Sequence, residues 1–483
     1  MKERRRKELE AIMITGLDSR GRGRGVHTLP DGQERPVAVN GALPGDVVDV
    51  RVRRRKAGTI LGDVLRLIQS ERPRVEPFCL HFGECGGCTL QDLAYRDQLS
   101  LKEATVRAAF REAGLPDGGD TGAGVFRPAL PAPRERLYRN KLEYSFGAQR
   151  WLTDREVREA EEIADRRGLG FHAPGRFDRV LDLSECHLQP EPSESIRRFL
   201  GEFTRERGLS FYDAREHCGV MRLLIVRTSL TGEVMVTVMF GEDDPGAVEL
   251  VMSALAERFP GITSLNYVVN TGANDSIFPH EVMLYRGEPF ITERCGPNRL
   301  RIRPKAFYQT NPEQAVRLYE AALTAGLGTE PGAGDPTRLA FDLYSGIGSI
   351  ALLLARRVER VVGIESVPDA VRAARENAEL NGIGNADFLE GQVETLLSTL
   401  EARYGTPDLV VVDPPRVGVH RAARKALLEI APPRIVYVSC NARSQATDIQ
   451  DLADRYEVKL IQPVDMFPQT RHVETVVLLE RRG

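Results

Sequence analysis

A cysteine and a glutamate near the C-terminus are the residues of this sequence that most clearly suggest chemistry. Cys440 stands at the predicted end of a strand, between Ser439 and Asn441, and Glu474 follows 34 residues later. A thiolate nucleophile and a separate carboxylate base suit covalent catalysis on an electron-poor ring. An isolated strand-end cysteine is more often a small buried hydrophobic residue, so the assignment depends on these neighbours and on Glu474.

Methylation of a pyrimidine at C5 needs one thiolate and one base. Uracil C5 is poorly nucleophilic until a thiolate adds at C6 and creates an enolate, after which C5 takes a methyl group. A base must then remove the C5 proton so that the thiol is eliminated. Cys440 and Glu474 are the predicted nucleophile and base. Glu474 lies in an otherwise apolar segment, where a carboxylate without a partner is costly.

A glycine-containing turn predicts the site of the methyl donor. Residues 342–349 end one apolar strand and open a helix, and Glu365 ends the next strand, 19 residues after Gly346. An acid at that position can bind ribose hydroxyls. The full Gly-x-Gly-x-x-Gly dinucleotide pattern is absent, because Ala351 occupies its last position. This difference favours S-adenosylmethionine over NAD.

A second loop at a predicted strand end contains Asp413, two prolines and Arg416, after the apolar residues 409–412. Loops at the carboxyl ends of parallel strands form the ligand crevice, so Asp413 is predicted to orient the donor or the target base. The alternative is an ordinary Asp-Pro turn. Amino-group methyltransferases also use an acid–Pro–Pro loop, but usually with an aromatic residue where this chain has Arg416.

Three further cysteines, Cys79, Cys85 and Cys88, are close together in the sequence, with glycines between them. In a cytosolic protein such a group indicates metal binding rather than disulfides. A fourth ligand is needed, and Cys186 is the best candidate. Four thiolates favour a [4Fe–4S] cluster, with a structural zinc ion as the main competitor.

The N-terminal part of the chain has the opposite charge balance to the rest. Residues 1–70 contain 15 Lys and Arg against 9 Asp and Glu, whereas all 483 residues together have a net charge of −3. About five short strands with glycine turns predict a small OB-like barrel, which would contact RNA through a basic groove. The alternative is an ordinary solvated barrel surface. Arg outnumbers Lys 58 to 8 throughout the chain, so arginine clusters alone are weak support.

The predicted fold class is a multidomain α/β protein. Residues 1–70 form the barrel, residues 71–305 a central α+β domain with the iron–sulfur cluster, and residues 306–483 a Rossmann-like, doubly wound methyltransferase domain. No apolar run approaches the roughly 20 residues of a membrane span, and no signal peptide is predicted. A cytoplasmic monomer without a membrane partner is expected.

These motifs resemble the RNA uridine-5-methyltransferases that carry an N-terminal TRAM barrel and an iron–sulfur cluster. The most similar group is the 23S ribosomal RNA (uracil-5-)-methyltransferases, and the resemblance covers essentially the whole chain. It rests on the 11–68 segment, the cysteine pattern, Tyr138–Lys141, Phe307–Asn311, Asp342–Gly348, Asp413–Arg416, Ser439–Asn441 and Phe467–Glu474.

The resemblance implies that Cys440 is the nucleophile and Glu474 the proton acceptor. The residues that it implies for S-adenosylmethionine binding are Gln309, Tyr344, Glu365 and Asp413, together with Ser349 and Gln392, where the family often has asparagine. Ser345 and Ala442 also depart from the family, which often has Cys and Pro there. Neither departure removes a reactive group.

The expected function is methylation of uridine C5 in 23S ribosomal RNA. The alternative is the same chemistry on the T-loop uridine of transfer RNA, and the barrel and cluster favour ribosomal RNA. A second alternative is a non-catalytic RNA-binding factor. The joint presence of Cys440, Glu474, Asp413 and Gln309 argues against that alternative. A uridine in a duplex would have to be extruded from its stack to meet Cys440.

Overall fold

The computed structural model describes residues 8–18, 21–119, 124–153, 156–157, 159, 163–328 and 337–483. The chain divides into two compact units. The first contains the chain up to Gly83, Gly87–Leu101 and Gln469–Arg471, and the second contains Glu84–Gly86, Lys102–Pro468 and His472–Gly483.

The strands of the described residues are β1 Glu8–Leu17, β2 Gly23–Thr28, β3 Glu34–Asn40, β4 Asp46–Lys56, β5 Thr59–Ser70, β6 Lys141–Gly147, β7 Arg150–Trp151, β8 Gly168–His172, β9 Val180–Asp182, β10 Met221–Thr228, β11 Val234–Phe240, β12 Ser264–Val269, β13 Met283–Gly287, β14 Ile291–Cys295, β15 Asn298–Ile302, β16 Leu339–Leu343, β17 Arg360–Glu365, β18 Ala386–Glu390, β19 Leu409–Val412, β20 Arg434–Ser439, β21 Tyr456–Val464 and β22 Glu474–Arg481. The helices are α1 Tyr95–Glu112, α2 Ser193–Glu206, α3 Pro245–Arg258, α4 Pro312–Leu327, α5 Ser349–Leu354, α6 Pro368–Leu380, α7 Val393–Tyr404, α8 Arg421–Ile430 and α9 Ala442–Leu452. None of these helices is long and apolar enough to cross a membrane.

The first unit contains a closed five-stranded barrel with the strand order β1-β2-β3-β5-β4, as the sequence predicted. Its interior is filled by aliphatic side chains such as Ile14, Val39 and Val50. Gly25 is required where β2 crosses β1, because a Cβ atom there would lie 2.6 Å from the carbonyl oxygen of Met13. The absent side chain thus lets the strands approach closely enough to close a small barrel.

Among the described residues, the second unit contains three sheets. One has eight strands in the order β13-β12-β11-β10-β6-β8-β9-β7, and β14 and β15 form a separate hairpin. The third has seven strands in the order β18-β17-β16-β19-β20-β22-β21. In it, the five strands from β18 to β20 are parallel to one another, and β22 runs antiparallel to both β20 and β21.

The parallel strands of the seven-stranded sheet are apolar throughout because both faces are covered. In β19, Leu409 and Val411 belong to the hydrophobic core on one face, and Val410 and Val412 belong to the core on the other. Burial on both faces gives continuous aliphatic runs rather than alternation. The predicted doubly wound sheet is therefore confirmed.

The order of the strands creates a crevice beside β16. The chain passes outward from β16 to β17 and β18, and then returns to place β19 on the other side of β16. Ligands of such sheets bind outside the carboxyl ends of the strands at this reversal. Because β22 is antiparallel to β20, its first residue lies at the same edge of the sheet.

Candidate active site

Five of the predicted site residues lie at the carboxyl ends of five adjacent parallel strands. Tyr344 follows β16, Glu365 ends β17, Gln392 comes two residues after β18, Asp413 follows β19, and Cys440 follows β20. The fold thus gathers at one edge of the sheet side chains that are up to 96 positions apart in the sequence.

The pairing of β20 with β22 brings Cys440 and Glu474 together. The last pair of this antiparallel ladder joins Ser439 to Thr475, so the next position on each strand sets Cys440 opposite Glu474. Directly opposed residues have Cβ atoms about 4.5–5.5 Å apart. Gln445, which is fully buried, donates hydrogen bonds to Tyr437 O (2.8 Å) and Thr475 O (3.1 Å) and so ties the same strand ends together.

The thiol of Cys440 is half-buried among charged groups. Burial raises the pKa of Cys440, and the negative charges of Glu474 and Asp413 raise it further. Arg416 opposes both effects, because its guanidinium donates a hydrogen bond to the thiol and lowers the pKa by its charge. Arg416 is therefore the group that favours the thiolate, a role that the sequence alone did not assign to it.

The two carboxyl groups beside Cys440 are held in an environment that favours their neutral forms. Glu474 is only 3% exposed. Burial raises the pKa of Glu474 to about 8, with a further rise from Asp413 and a decrease from Arg416. Burial also raises the pKa of Asp413 to about 7. A carboxylate with a pKa near neutrality is well matched to general base catalysis.

The loop that carries Arg416 is fixed by the helix that follows Cys440. Arg416 O accepts hydrogen bonds from Asn441 Nδ2 (3.1 Å) and Ser444 Oγ (3.2 Å). Asn441 also caps α9 through its side-chain oxygen. At the far end of the loop, Val419 N donates to the buried carboxylate of Asp448 (2.7 Å). The nucleophile and the arginine are thus mounted on one hydrogen-bonded unit.

We expect Arg416→Gln to slow alkylation of Cys440 by iodoacetamide about fivefold at neutral pH, because loss of the positive charge raises the pKa of the thiol. Rates for the peptide containing Cys440 would be followed by mass spectrometry across a pH series. Arg416→Lys keeps the charge and should restore most of the rate. An unchanged pH profile in Arg416→Gln would contradict this role.

The turn after β16 has an unusual backbone conformation and is held by hydrogen bonds to Glu365. Tyr344 has a φ of +66°, which is unusual for a residue with a side chain and occurs often at functional sites. Gly346 N donates to Glu365 Oε2 (3.0 Å), and Val367 N donates to Glu365 Oε1 (2.8 Å). Burial raises the pKa of Tyr344 to about 12, and its hydroxyl has the backbone of His420 as a partner.

Two buried groups at this edge of the sheet were assigned no role from the sequence. Asp342 in β16 is 1% exposed, and burial raises its pKa well above the usual range, with further increases from Asp413 and Glu365. Tyr319 in α4 makes a hydrogen bond with Ser349 and lies near the charges of Asp413 and Glu474. The sequence around Asp342 and Tyr319 contains no pattern that shows which distant charged groups lie beside them.

The remaining two predicted donor-binding residues have different surroundings. Gln309 is buried, and its backbone carbonyl accepts a hydrogen bond from Asn140 Nδ2 (3.0 Å). Gln392 is exposed at the start of α7 and makes no capping hydrogen bond with its side chain. It follows β18, the outermost strand on that side of the sheet, four strands away from β20.

The four predicted cluster cysteines lie in segments without helix or strand. Cys79, Cys85 and Cys88 are half-buried residues between β5 and α1, and Cys186 is half-buried after β9. Within the described ranges, no group of three or more Cys, His, Asp or Glu side chains forms an arrangement that could hold a metal ion. The cluster therefore remains a prediction from the cysteine pattern.

Known proteins are similar to this chain over most of its length. The profile of the family described as tRNA (Uracil-5-)-methyltransferase matches residues 299–482. A protein from Porphyromonas gingivalis that bears the name uncharacterized RNA methyltransferase is 44% identical over 451 residues, which cover 91% of this chain and 94% of that protein. A protein of the same name from Bacteroides thetaiotaomicron is 41% identical over 449 residues, which cover 91% of this chain and 95% of that protein.

A solved structure is similar over nearly the full length. The tRNA (uracil-54, C5)-methyltransferase of Pyrococcus abyssi, in complex with S-adenosyl-L-homocysteine, superposes with a TM-score of 0.71 at 27% identity. The superposition covers 98% of this chain and 100% of the other.

Proposed function

This chain belongs to the RNA (uracil-5-)-methyltransferase family, and on that premise we propose that it methylates C5 of a uridine in 23S ribosomal RNA through a covalent bond from Cys440 to C6. It is an enzyme that depends on S-adenosylmethionine. The observation that carries the proposed mechanism is that Cys440 and Glu474 adjoin the last β20–β22 pair, Ser439 and Thr475, and lie close enough for the charge of Glu474 to raise the pKa of the thiol.

The groups at the carboxyl edge of the sheet fit a positively charged methyl donor. Asp342, Asp413 and Glu474 are three carboxyl groups whose pKa values are raised by burial, and such a set is stabilised by a cation. When bound, S-adenosylmethionine supplies a methyl group on a sulfonium ion. We assign its binding to Gln309, Tyr344, Glu365 and Asp413, with contributions from Ser349 and Gln392.

The reaction uses Cys440 and Glu474 in turn. The thiolate of Cys440 adds to C6 of the uracil, and the electron pair of the C5–C6 double bond moves towards the carbonyl at C4 to give an enolate. After C5 has taken the methyl group, the carboxylate of Glu474 removes the C5 proton. The C5–C6 double bond then re-forms as the bond from C6 to sulfur breaks, and the thiolate leaves.

Transfer RNA is the second candidate substrate. The Pyrococcus abyssi relative acts on uracil 54 of tRNA, and the matching family profile is described by tRNA methylation. Ribosomal RNA is favoured because the complete set of sequence motifs, including the cysteine pattern, resembles that of the 23S ribosomal RNA (uracil-5-)-methyltransferases. Both substrates present the same pyrimidine to Cys440, so the chemistry at the site is the same.

A methyl-transfer assay distinguishes the two RNAs. The enzyme would be incubated with S-adenosylmethionine and either a 23S ribosomal RNA transcript or a transfer RNA transcript, and nucleosides from the digested RNA would be separated. We expect 5-methyluridine from ribosomal RNA and little from transfer RNA. 5-Methyluridine from transfer RNA alone would favour the second candidate, and a product other than 5-methyluridine would contradict the proposed chemistry.

We further propose that residues 1–70 form a TRAM-like barrel that contacts RNA, that residues 71–305 carry the iron–sulfur cluster, and that residues 306–483 carry the methyltransferase site. We also propose that the protein is a monomer. The cluster is proposed from the spacing of Cys79, Cys85, Cys88 and Cys186, and no catalytic step depends on it.

Anaerobically purified protein tests the cluster. We expect about four iron atoms and four sulfide ions per chain, with a visible absorption band that dithionite bleaches. A Cys186→Ser variant should lose most of the iron. One zinc ion per chain without sulfide would show that the competing metal site is the correct one.

A further inference from the structure

The segment just after β21 is held by three separate buried side chains. Met466 O accepts a hydrogen bond from Asn311 Nδ2 (3.2 Å), Phe467 O from Lys102 Nζ (3.0 Å), and Pro468 O from Tyr138 Oη (3.0 Å). Three consecutive carbonyl groups are therefore fixed by donors from three distant parts of the sequence. Irregular backbone rarely receives so many buried side-chain bonds, because most of its polar groups face water.

A buried ion pair lies at the start of this Asp465–Pro468 segment. Lys102 and Asp465 form a salt bridge in which the side chains are 1% and 0% exposed. Asp465 also accepts a hydrogen bond from Phe467 N (3.0 Å). Apolar residues of similar size are often at least as stabilising as a buried ion pair. The charged groups at this position therefore suggest that the ion pair fixes the position of the segment rather than adding to the stability of the fold.

The segment is directly connected to the proposed base. The β21–β22 ladder pairs Val464 with Glu474, so Asp465 leaves the sheet at the position beside Glu474. Phe467 also contacts His472, two residues before Glu474, with ring centroids 6.1 Å apart in an edge-to-face arrangement. A shift of the Asp465–Pro468 segment would therefore be transmitted to Glu474 from both sides.

One of the three residues that donate these hydrogen bonds, Asn311, also lies next to the predicted S-adenosylmethionine-binding residues. Asn311 follows the predicted S-adenosylmethionine ligand Gln309 by two residues and caps α4. The backbone at Gln309 and Thr310 is held by Asn140, whose backbone N donates to Thr310 O (2.7 Å) and whose Nδ2 donates to Gln309 O (3.0 Å). Tyr138 and Asn140 are two residues apart, so this short motif fixes the Asp465–Pro468 segment with one side chain and the Gln309 segment with the other.

We propose that Lys102, Tyr138 and Asn311 are positioning residues that hold Glu474 in place for removal of the C5 proton. The inference rests on the proposed function, because it requires Glu474 to be the base. The carboxylate accepts the proton from C5, the electron pair of that C–H bond forms the C5–C6 double bond, and sulfur leaves C6 with its bonding pair. Displacement of Glu474 slows this last step most, whereas Cys440 and the residues assigned to donor binding keep their positions.

Tyr138→Phe tests the proposal with a matched control. Tyr456→Phe also removes a buried hydroxyl that donates to a proline carbonyl, since Tyr456 Oη donates to Pro432 O (2.9 Å) near the opposite end of β21. We expect Tyr138→Phe to lower turnover about tenfold and to accumulate a covalent complex with natural RNA on denaturing gels. Tyr456→Phe should retain wild-type turnover and accumulate none.

Two further measurements separate positioning from loss of folding. RNA containing 5-fluorouridine stops the reaction before elimination, because fluorine cannot leave as a cation, and Tyr138→Phe should be trapped at the wild-type rate. Its affinity for S-adenosylmethionine, measured by calorimetry, should also remain within about twofold of wild type. The double variant Lys102→Met/Asp465→Asn, which removes both buried charges together, should reproduce the pattern of Tyr138→Phe.

The outcomes distinguish this inference from the proposed function. Absence of any fluorouridine adduct in the wild-type enzyme would overturn both. If the wild type is trapped, equal losses of trapping and turnover in Tyr138→Phe would show a merely structural role. Unchanged turnover in both the single and the double variant would overturn the positioning proposal alone.

Discussion

Replacement of Cys440 with alanine is expected to lower methyl transfer by about 10⁴-fold or more and to abolish the covalent complex with 5-fluorouridine RNA. The reason is that C5 of uracil stays a poor nucleophile unless sulfur has added to C6. Alanine at this half-buried position removes the sulfur but not the backbone that fixes the strand end. The measurement is a denaturing gel of enzyme, RNA and S-adenosylmethionine, together with methyl transfer from a radiolabelled donor.

Two controls make that result specific to the nucleophile. Cys218→Ala removes an exposed thiol elsewhere in the second unit and should behave as wild type. Calorimetric binding of S-adenosylmethionine should persist in Cys440→Ala, because the thiol is not among the groups assigned to the donor. A Cys440→Ala enzyme that still forms the fluorouridine adduct would exclude Cys440 as the nucleophile.

Replacement of Glu474 with glutamine should separate the two halves of the reaction. Glutamine keeps the size of the side chain but cannot accept the C5 proton, so turnover should fall by about 10³-fold, or about 4 kcal/mol of transition-state stabilisation. Thiol addition and methyl transfer precede this step. The variant should therefore accumulate a methylated covalent complex with natural uridine RNA, visible by denaturing gel and by incorporation of label into the protein–RNA band.

Glu480→Gln is a suitable comparison, because Glu480 lies on the same strand opposite Arg434, at the other end of the ladder. It should turn over normally and accumulate no complex. A Glu474→Gln enzyme that releases methylated RNA at the wild-type rate would show that another group removes the proton.

In the wild type, turnover should rise as the pH is raised towards 8. Both reacting groups act in their deprotonated forms, and burial raises the pKa of each.

The sequence was most informative about the residues that directly follow a predicted strand. The apolar run at β19 and the motif that follows it are continuous in the chain, so both the parallel strand and the position of Asp413 at its carboxyl end could be predicted. Cys440 was found in the same way. Glu474 was singled out as a carboxylate in an apolar segment, but its partner strand was not predicted, because nothing local to an apolar strand reveals which strand it pairs with. The roles of these residues and the domain boundaries remain predictions.

The groups that the sequence did not reveal are those defined by contacts between distant segments. Arg416 was noted only as an exception to an aromatic pattern, yet its charge stabilises the thiolate. Lys102 is one more basic residue in a helix until its partner Asp465, 363 positions later, is known. The strand β21 was overlooked, although Tyr456, Val458 and Leu460 alternate with Glu457 and Lys459 in the period expected of a half-buried strand.

The reversed direction of β22 has a consequence for how the enzyme can change over evolution. Nucleophile and base adjoin the last pair of two hydrogen-bonded strands, so their spacing is set by strand register rather than by the length of the 33-residue connection between them. Insertions in the turn between α9 and β21 can be absorbed, whereas a single-residue slip of β22 would turn Glu474 to the other face of the sheet. We therefore expect the length of that connection to tolerate change while the reacting pair stays aligned.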